Sequence, residues 1–268
     1  MNRKAVVAGQ FYPGSAMELK NTLKSLFMEV PSSKKKNALL TMLPHAGYIY
    51  SGRTAGKTLS YVNLKENILL LGPNHTGIGD PFSVWCDGKW EFPGGFLEVN
   101  EKIANELVNG IEYLSADVSA HLREHSLEVL IPFLWYINPN IKIIPICIRE
   151  HRLDILIDVG KKIADIIRDM DNISIVVSSD MSHFISHDRA KILDQTAIEK
   201  CEKVDPEDLY NAVREYNITM CGVFPMTVGL KIAKELGATK GMLIDYSTSG
   251  DVTGDKSYVV GYAGIIVY

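Results

Sequence analysis

Short apolar runs that stop at a proline, a glycine or a polar cluster recur along this chain, separated by longer stretches with apolar positions three and four apart. Leu39 to Leu43 ends at Pro44, Ile68 to Leu71 ends at Gly72-Pro73, and Ile141 to Ile148 and Ile173 to Val177 are two further runs. Continuous apolar runs of this length read as strands covered on both faces, as parallel strands are. The stretches between them read as helices. Ser15 and Glu18 have capping-box spacing for a helix running to about Met28. Arg53 to Leu59, Glu101 to Val108, Leu153 to Ile167 and Ala190 to Cys201 follow, with Val223 to Leu236 closed by Gly237. Asp205-Pro206-Glu207-Asp208 opens another helix with an aspartate N-cap, proline at the first helical position and acids in the first turn. Leu127, Leu130, Ile131 and Leu134 form a helical stripe that Pro132 is expected to bend or interrupt. Phe82 to Trp85 and Lys89 to Phe92 predict a hairpin turning at Asp87-Gly88. Lys240 to Tyr246 and Ser257 to Val267 predict the last strands, flanking a polar loop, Ser247 to Lys256, long enough to be a lid.

Strands alternating with helices imply an α/β fold, a layered domain with a largely parallel central sheet. No linker or shift in composition divides the 268 residues, so one domain over 1–268 is expected. A hydrophobic fraction of 46% and a charged fraction of 22% are those of a folded globular protein. The net charge of −4 argues against a nucleic-acid binder, and the basic run Lys34-Lys35-Lys36 reads as a solvated loop. No signal peptide and no run of roughly 20 apolar residues is visible, so a cytoplasmic protein that does not enter a membrane is expected. Cys86, Cys147, Cys201 and Cys221 lack CxxC spacing, which argues against a disulfide framework or a zinc ribbon. Cys147 reads as a small buried hydrophobe.

Candidate chemistry sits where the apolar runs stop. Pro44 hands His45 to a glycine-rich loop, and Pro73-Asn74-His75 repeats the device. A third run enters Ser178-Ser179-Asp180-Met181-Ser182-His183 directly, with His187 at the start of the next helix. Cys221 lies near a helix N-terminus, a position that favours thiolate. The carboxyl edge of an α/β sheet is where ligands bind. Tyr48, Tyr50, Arg53 and Asn74 are candidates to line a cleft there, and helix N–H groups after Ser51-Gly52 are candidates to face an anion. Glu124 and His125 open the apolar helix, as cap or as cleft. Three readings follow: a mononuclear metal site of His45, His75 and Cys221 with His183 and Asp180 as acid/base groups; a Cys221 nucleophile with His183 as base oriented by Asp180; or a cleft without chemistry.

Ala8-Gly9-Gln10-Phe11-Tyr12-Pro13, Pro44 to Gly52, Leu71 to His75, Glu124-His125-Ser126-Leu127-Glu128, Ser178 to His183 and Cys221-Gly222 together, in that order and over nearly the whole chain, resemble the Memo family. The family's fold is similar to that of the extradiol ring-cleaving, non-haem iron dioxygenases. The resemblance implies that His45 and His75 match the two metal histidines of those enzymes and His183 their acid/base histidine. Cys221 stands where they carry a carboxylate. A thiolate is softer and shifts preference toward copper(I), zinc or a differently tuned iron, so iron(II) or copper(I) is the expected cofactor, with zinc next. Eukaryotic relatives resemble signalling adaptors that bind phosphotyrosine peptides, and prokaryotic ones are associated with a radical-SAM protein and an AMMECR-domain protein. A metal-dependent oxidoreductase with a small-molecule or peptide ligand is the expected function, and a non-catalytic peptide-binding or scaffold protein using the same cleft is the alternative.

Overall fold

The computed structural model describes residues 1–268. In chain order its elements are β1 (Asn2–Arg3), α1 (Ala16–Leu26), β2 (Leu40–Leu43), α2 (Tyr48–Ser60), β3 (Asn67–Pro73), β4 (Phe82–Val84), β5 (Lys89–Phe92) and β6 (Gly95–Val99). Then come α3 (Glu101–Gly110), β7 (Ser115–Ala116), α4 (Ile131–Ile137), β8 (Lys142–Ile148), α5 (Leu153–Ile167), β9 (Ile173–Ser178) and β10 (His183–Ile185). The chain closes with α6 (His187–Glu202), α7 (Pro206–Glu215), α8 (Val223–Glu235), β11 (Gly241–Thr248), α9 (Gly250–Thr253) and β12 (Val259–Val267). The four apolar runs are the heart of the sheet: β8, β3, β9 and β2 lie side by side, all parallel. Antiparallel β12 joins β2 and carries β11 and β10, while β6, β5 and β1 extend the other edge and β4 pairs with β8.

Order across this sheet decides where a ligand can sit. The chain moves one way from β2 to β3 and β8, then returns to place β9 between β3 and β2. Right-handed crossovers running in opposite directions put their helices on opposite faces. Accordingly α2 packs on β11, β12 and β2, and α8, with α5 outside it, packs on β3 and β9. Gly229 lets α8 approach, since a Cβ there would lie 2.7 Å from Val177 and 2.8 Å from Leu40. The reversal leaves the carboxyl ends of β2, β3 and β9 open between them. One contiguous core fills both faces.

Local signals held at several helix starts. The Ser15 hydroxyl accepts the Glu18 N–H and Asp205 accepts the Asp208 N–H, with Pro206 at the first helical position. Four expectations are corrected. Phe82 to Trp85 and Lys89 to Phe92 are not a hairpin: β4 pairs with β8 and β7, and β5 turns at Pro93-Gly94 into β6. Asp87-Gly88 does turn the chain, but what fills the turn is the N-terminus, because Gly88 (φ 75°) leaves room for the Met1 carbonyl. Pro132 does not bend a continuous helix: it stands in the first turn of α4, where its missing N–H has no partner to lose, and Leu127 and Leu130 of the expected stripe precede that helix in a 3-10 turn. Helix α2 begins at Tyr48, not Arg53, so the amides after Ser51-Gly52 lie inside it; the Tyr48 N–H donates to the Phe11 carbonyl and Ser51 N–H to that of Gly47. The polar segment after Tyr246 is less free than a lid: Ser247 and Thr248 complete β11, and His187 on α6 bonds the Thr248 hydroxyl through Nδ1 at 3.0 Å and the Lys256 carbonyl through its backbone N–H. No helix is long and apolar enough to cross a membrane.

Candidate metal centre

Candidate residues from four distant places in the chain lie at the carboxyl edge. His45 follows β2, His75 follows β3, Asp180 and His183 follow β9, and Cys221 precedes α8. One donor atom from each of His45, His75 and Cys221 lies within 4.8 Å of the others. The Cys221 Sγ is 3.4 Å from His45 Nε2, and the His45 and His75 rings meet edge to face at 5.3 Å. Asp180 braces the group through the backbone: its carboxylate accepts the His45 N–H at 2.8 Å, and its own N–H points at the Cys221 sulfur at 3.2 Å.

Hydrogen bonds choose the tautomer of each imidazole. The Ser178 hydroxyl donates its one proton to the Ser126 carbonyl at 2.6 Å, so at 2.7 Å from His45 Nδ1 it accepts. His45 is therefore protonated at Nδ1 and turns an Nε2 lone pair toward Cys221. His75 Nδ1 lies 2.9 Å from Glu124 Oε1, and a carboxylate accepts, so Nε2 is again the free nitrogen. Metal-binding histidines are commonly held in this way, with the outer nitrogen donating to a carboxylate or another fixed acceptor. For His183 the fixed acceptor is the Thr219 carbonyl, 2.9 Å from Nδ1, while the Thr219 hydroxyl accepts the His183 N–H. Asp180 thus does not orient His183, as the sequence suggested; it holds His45.

Charge in the site follows from burial and pairing. Burial pushes His45 well below the ordinary imidazole range, helped by repulsion from His75 and His125, so it is neutral. Burial pushes Asp180 up, against the N–H groups of His45 and Ala46. Burial alone would raise Glu124, but the hydrogen bond and charge of His75, with the Ser126 N–H and His125, hold it down to about 2. Burial opposes protonation of His75, yet Glu124 outweighs it and raises the group. Cys221 corrects the sequence reading: burial and Asp180 push its thiol up, outweighing any help from the start of α8. A bound cation would reverse that, since a coordinating thiol loses its proton outright.

The remaining expected cleft residues have divided duties. His125 stacks on His75 with ring centres 4.8 Å apart and 20° between planes, and packs against Phe11 on another side. Its N–H and that of Ser126 both donate to Glu124, which is buried and orients rather than lines. Asn74 shapes its own loop, accepting from Thr76 and Gly77 and donating to Ile78. Tyr48 is buried, its hydroxyl spent on the Val129 carbonyl. Tyr48 and exposed Arg53 also border a cavity of about 650 Å³ shared with Phe11, Glu18 and Ile49, whereas half-buried Tyr50 is not part of its wall. Sequence reasoning missed Ser126, Ser178 and Thr219 as orienting groups. Each is one or two residues from a named candidate, and that proximity was the only signal.

Comparison with known proteins agrees with the motifs that lie around this edge. Residues 3–266 match the family model described as Memo-like protein. A MEMO1 family protein of Aquifex aeolicus is 43% identical over 265 residues, covering 98% of each chain. One from Nitrosopumilus maritimus is 40% identical over 273 residues and one from Methanopyrus kandleri 37% over 279, each alignment covering 99% of both chains. Among solved structures, an uncharacterized protein from Escherichia coli K12 shares the fold with a TM-score of 0.55 at 13% identity, over 85% of this chain and 98% of that one. The ordered motifs, the full-length family match and the closely similar lengths of these relatives together show that this chain belongs to the Memo family.

Proposed function

We propose that His45, His75 and Cys221 hold one redox-active metal ion, iron(II) or copper(I), and that the chain is a metal-dependent oxidoreductase acting on a small molecule, with His183 as the proton donor or acceptor. The observation that carries this reading is the convergence of two imidazoles and a thiol from three distant places in the chain, within 4.8 Å, with the outer nitrogen of each imidazole already committed. Two nitrogens and a sulfur suit a soft or borderline ion, and three protein ligands leave a position open for substrate. Such an ion supplies electron transfer and polarisation of a bound group. The chain supplies the rest: Ser178 and Glu124 orient the ligands, Asp180 fixes the loop that carries His45, and His183 offers Nε2 as the nitrogen free to take or give a proton.

Metal content of anaerobically purified protein, offered iron(II), copper(I) and zinc in turn, tests the reading. One equivalent per chain is expected for the wild type, and its loss in His45→Ala and Cys221→Ser that retain wild-type circular dichroism. A wild type that takes up nothing, or variants that bind as well as it does, would leave the cleft as a site for peptide or small-molecule binding without metal. Ser178→Ala is expected to weaken uptake about 10–100-fold by releasing the His45 tautomer, measured by competition with a chelator.

A further inference from the structure

We propose that Asp194 on α6, which touches none of the candidate ligands, is the positioning residue for His183, its buried carboxylate clamping the Ser182 amide and so fixing how β10 presents the His183 ring. This rests on the reading of His183 as the proton donor or acceptor.

The segment that carries His183 needs an anchor. β10 has three residues and lies at the edge of the sheet, paired only with β12, and its register slips between His183 and Ile185. Such bulges re-aim a side chain at the cost of regular pairing. Between those two residues Phe184 adopts φ 57°, a left-handed conformation costly for a bulky side chain. Phe184 is 73% exposed, so packing does not repay that cost. Something else must hold the backbone in place.

Backbone contacts upstream show what does. The Met181 N–H donates to the Gly261 carbonyl and the Gly261 N–H to the Ser182 carbonyl, tying the segment to β12. The Ser182 N–H has no strand to pair with and donates to Asp194 Oδ1 at 2.9 Å. Ser182 is buried, so its amide depends on that carboxylate rather than on water. The second Asp194 oxygen accepts the Tyr246 hydroxyl at 2.7 Å. Room for it is reserved: a Cβ on Gly261 would lie 2.0 Å from Asp194 Oδ2. Ahead of this clamp Thr219 receives the His183 N–H and Nδ1. With the clamp behind and Thr219 in front, the ring has one orientation and one tautomer, and Nε2 remains free.

The tautomer is the readout, because it needs neither metal nor turnover. Full-length, metal-free protein labelled with 15N-histidine is examined by long-range proton–nitrogen correlation at a pH where His183 is neutral. The wild type is expected to show the Nδ1–H form in about tenfold excess, as one fixed hydrogen bond would impose. Asp194→Ala is expected to reduce that preference to a mixture. Asp194→Asn is expected to retain it, since its oxygen accepts from Ser182 and its amide donates to the Tyr246 oxygen. Tyr246→Phe removes a buried hydrogen bond but spares the clamp, so it should lower stability and leave the tautomer unchanged. An Asp194→Ala protein that folds and keeps the Nδ1–H form overturns the proposal and makes Asp194 a packing residue. If that variant does not fold, Phe184→Gly is added to relieve the strained backbone, and the same comparison is made. In the wild type, a Ser182 amide that exchanges freely with solvent while its β12 neighbours stay protected also overturns it. Metal uptake by Asp194→Ala should match the wild type, so failure of the metal reading, seen with His45→Ala, is distinguishable from failure of this one.

Discussion

Replacing Glu128 with alanine is expected to destabilise the protein by about 3–5 kcal/mol, because it strands a buried charge. Arg3 is 1% exposed, and its guanidinium donates to Glu128 Oε2 at 2.7 Å, to the His121 carbonyl at 2.9 Å and to the Glu124 carbonyl at 2.6 Å. The other Glu128 oxygen accepts the Tyr12 hydroxyl and the Val7 N–H, and both take a share of the Val6 N–H. One carboxylate therefore satisfies a cation, a phenol and two amides of the N-terminal arm. Urea unfolding midpoints compared at constant slope measure the loss. A double variant, Arg3→Met with Glu128→Leu, should cost less than Glu128→Ala alone, since an apolar pair of similar volume removes both desolvation penalties. A loss below about 1 kcal/mol for Glu128→Ala would show that water reaches Arg3. The arm so pinned carries Phe11 against His125, so this ion pair also sets one wall of the candidate centre.

Legibility in the sequence followed how local the determining physics was. Strands β2, β3, β8 and β9 were visible as uninterrupted apolar runs because burial on both faces removes the need for alternation. The N-caps at Ser15 and Asp205 were visible because one side chain decides each. The pairing of β4, β5 and β6 was not, because Gly88 and Pro93-Gly94 both read as turns, and only the Met1 carbonyl packed against Gly88 distinguishes them. β1 escaped notice for a similar reason: two residues form a strand only because Arg3 is drawn into the core by Glu128, more than a hundred positions away. The start of α2 shifted to Tyr48 because the Phe11 carbonyl, on the distant arm, accepts its first N–H.

The candidate centre divides along the same line. Repetition of strand, proline and histidine pointed to His45 and His75, and sheet topology explains why two such histidines meet, since β9 inserts between the strands that carry them. What no spacing could reveal is which acceptor each imidazole finds. Ser178 for His45, Glu124 for His75 and Thr219 for His183 are contacts across 133, 49 and 36 positions. These determine the tautomers, hence which nitrogen is free. The chemistry-bearing side chains are legible in one dimension, but their protonation is a property of the fold.

Glu124 is where that dependence should be measurable as acid sensitivity. Its folded-state value near 2 lies below the ordinary 4.5, so the unfolded chain binds the proton more readily. Stability from this group is fully present above about pH 4.5 and is lost as pH falls toward 2. The difference corresponds to about 3 kcal/mol for a group this deeply buried. Glu124→Gln should therefore be less stable than the wild type by about that amount at pH 7, where an amide cannot replace the charge facing His75. The gap should narrow below pH 4.5 and close near pH 2, as the wild-type carboxylate protonates and loses its advantage. Denaturant titrations of both proteins at pH 7, 4 and 3 measure the gap directly. A gap that stays constant across that range would mean that Glu124 acts by shape alone, holding the His125 and Ser126 amides, and that its pairing with His75 contributes nothing to the folded state.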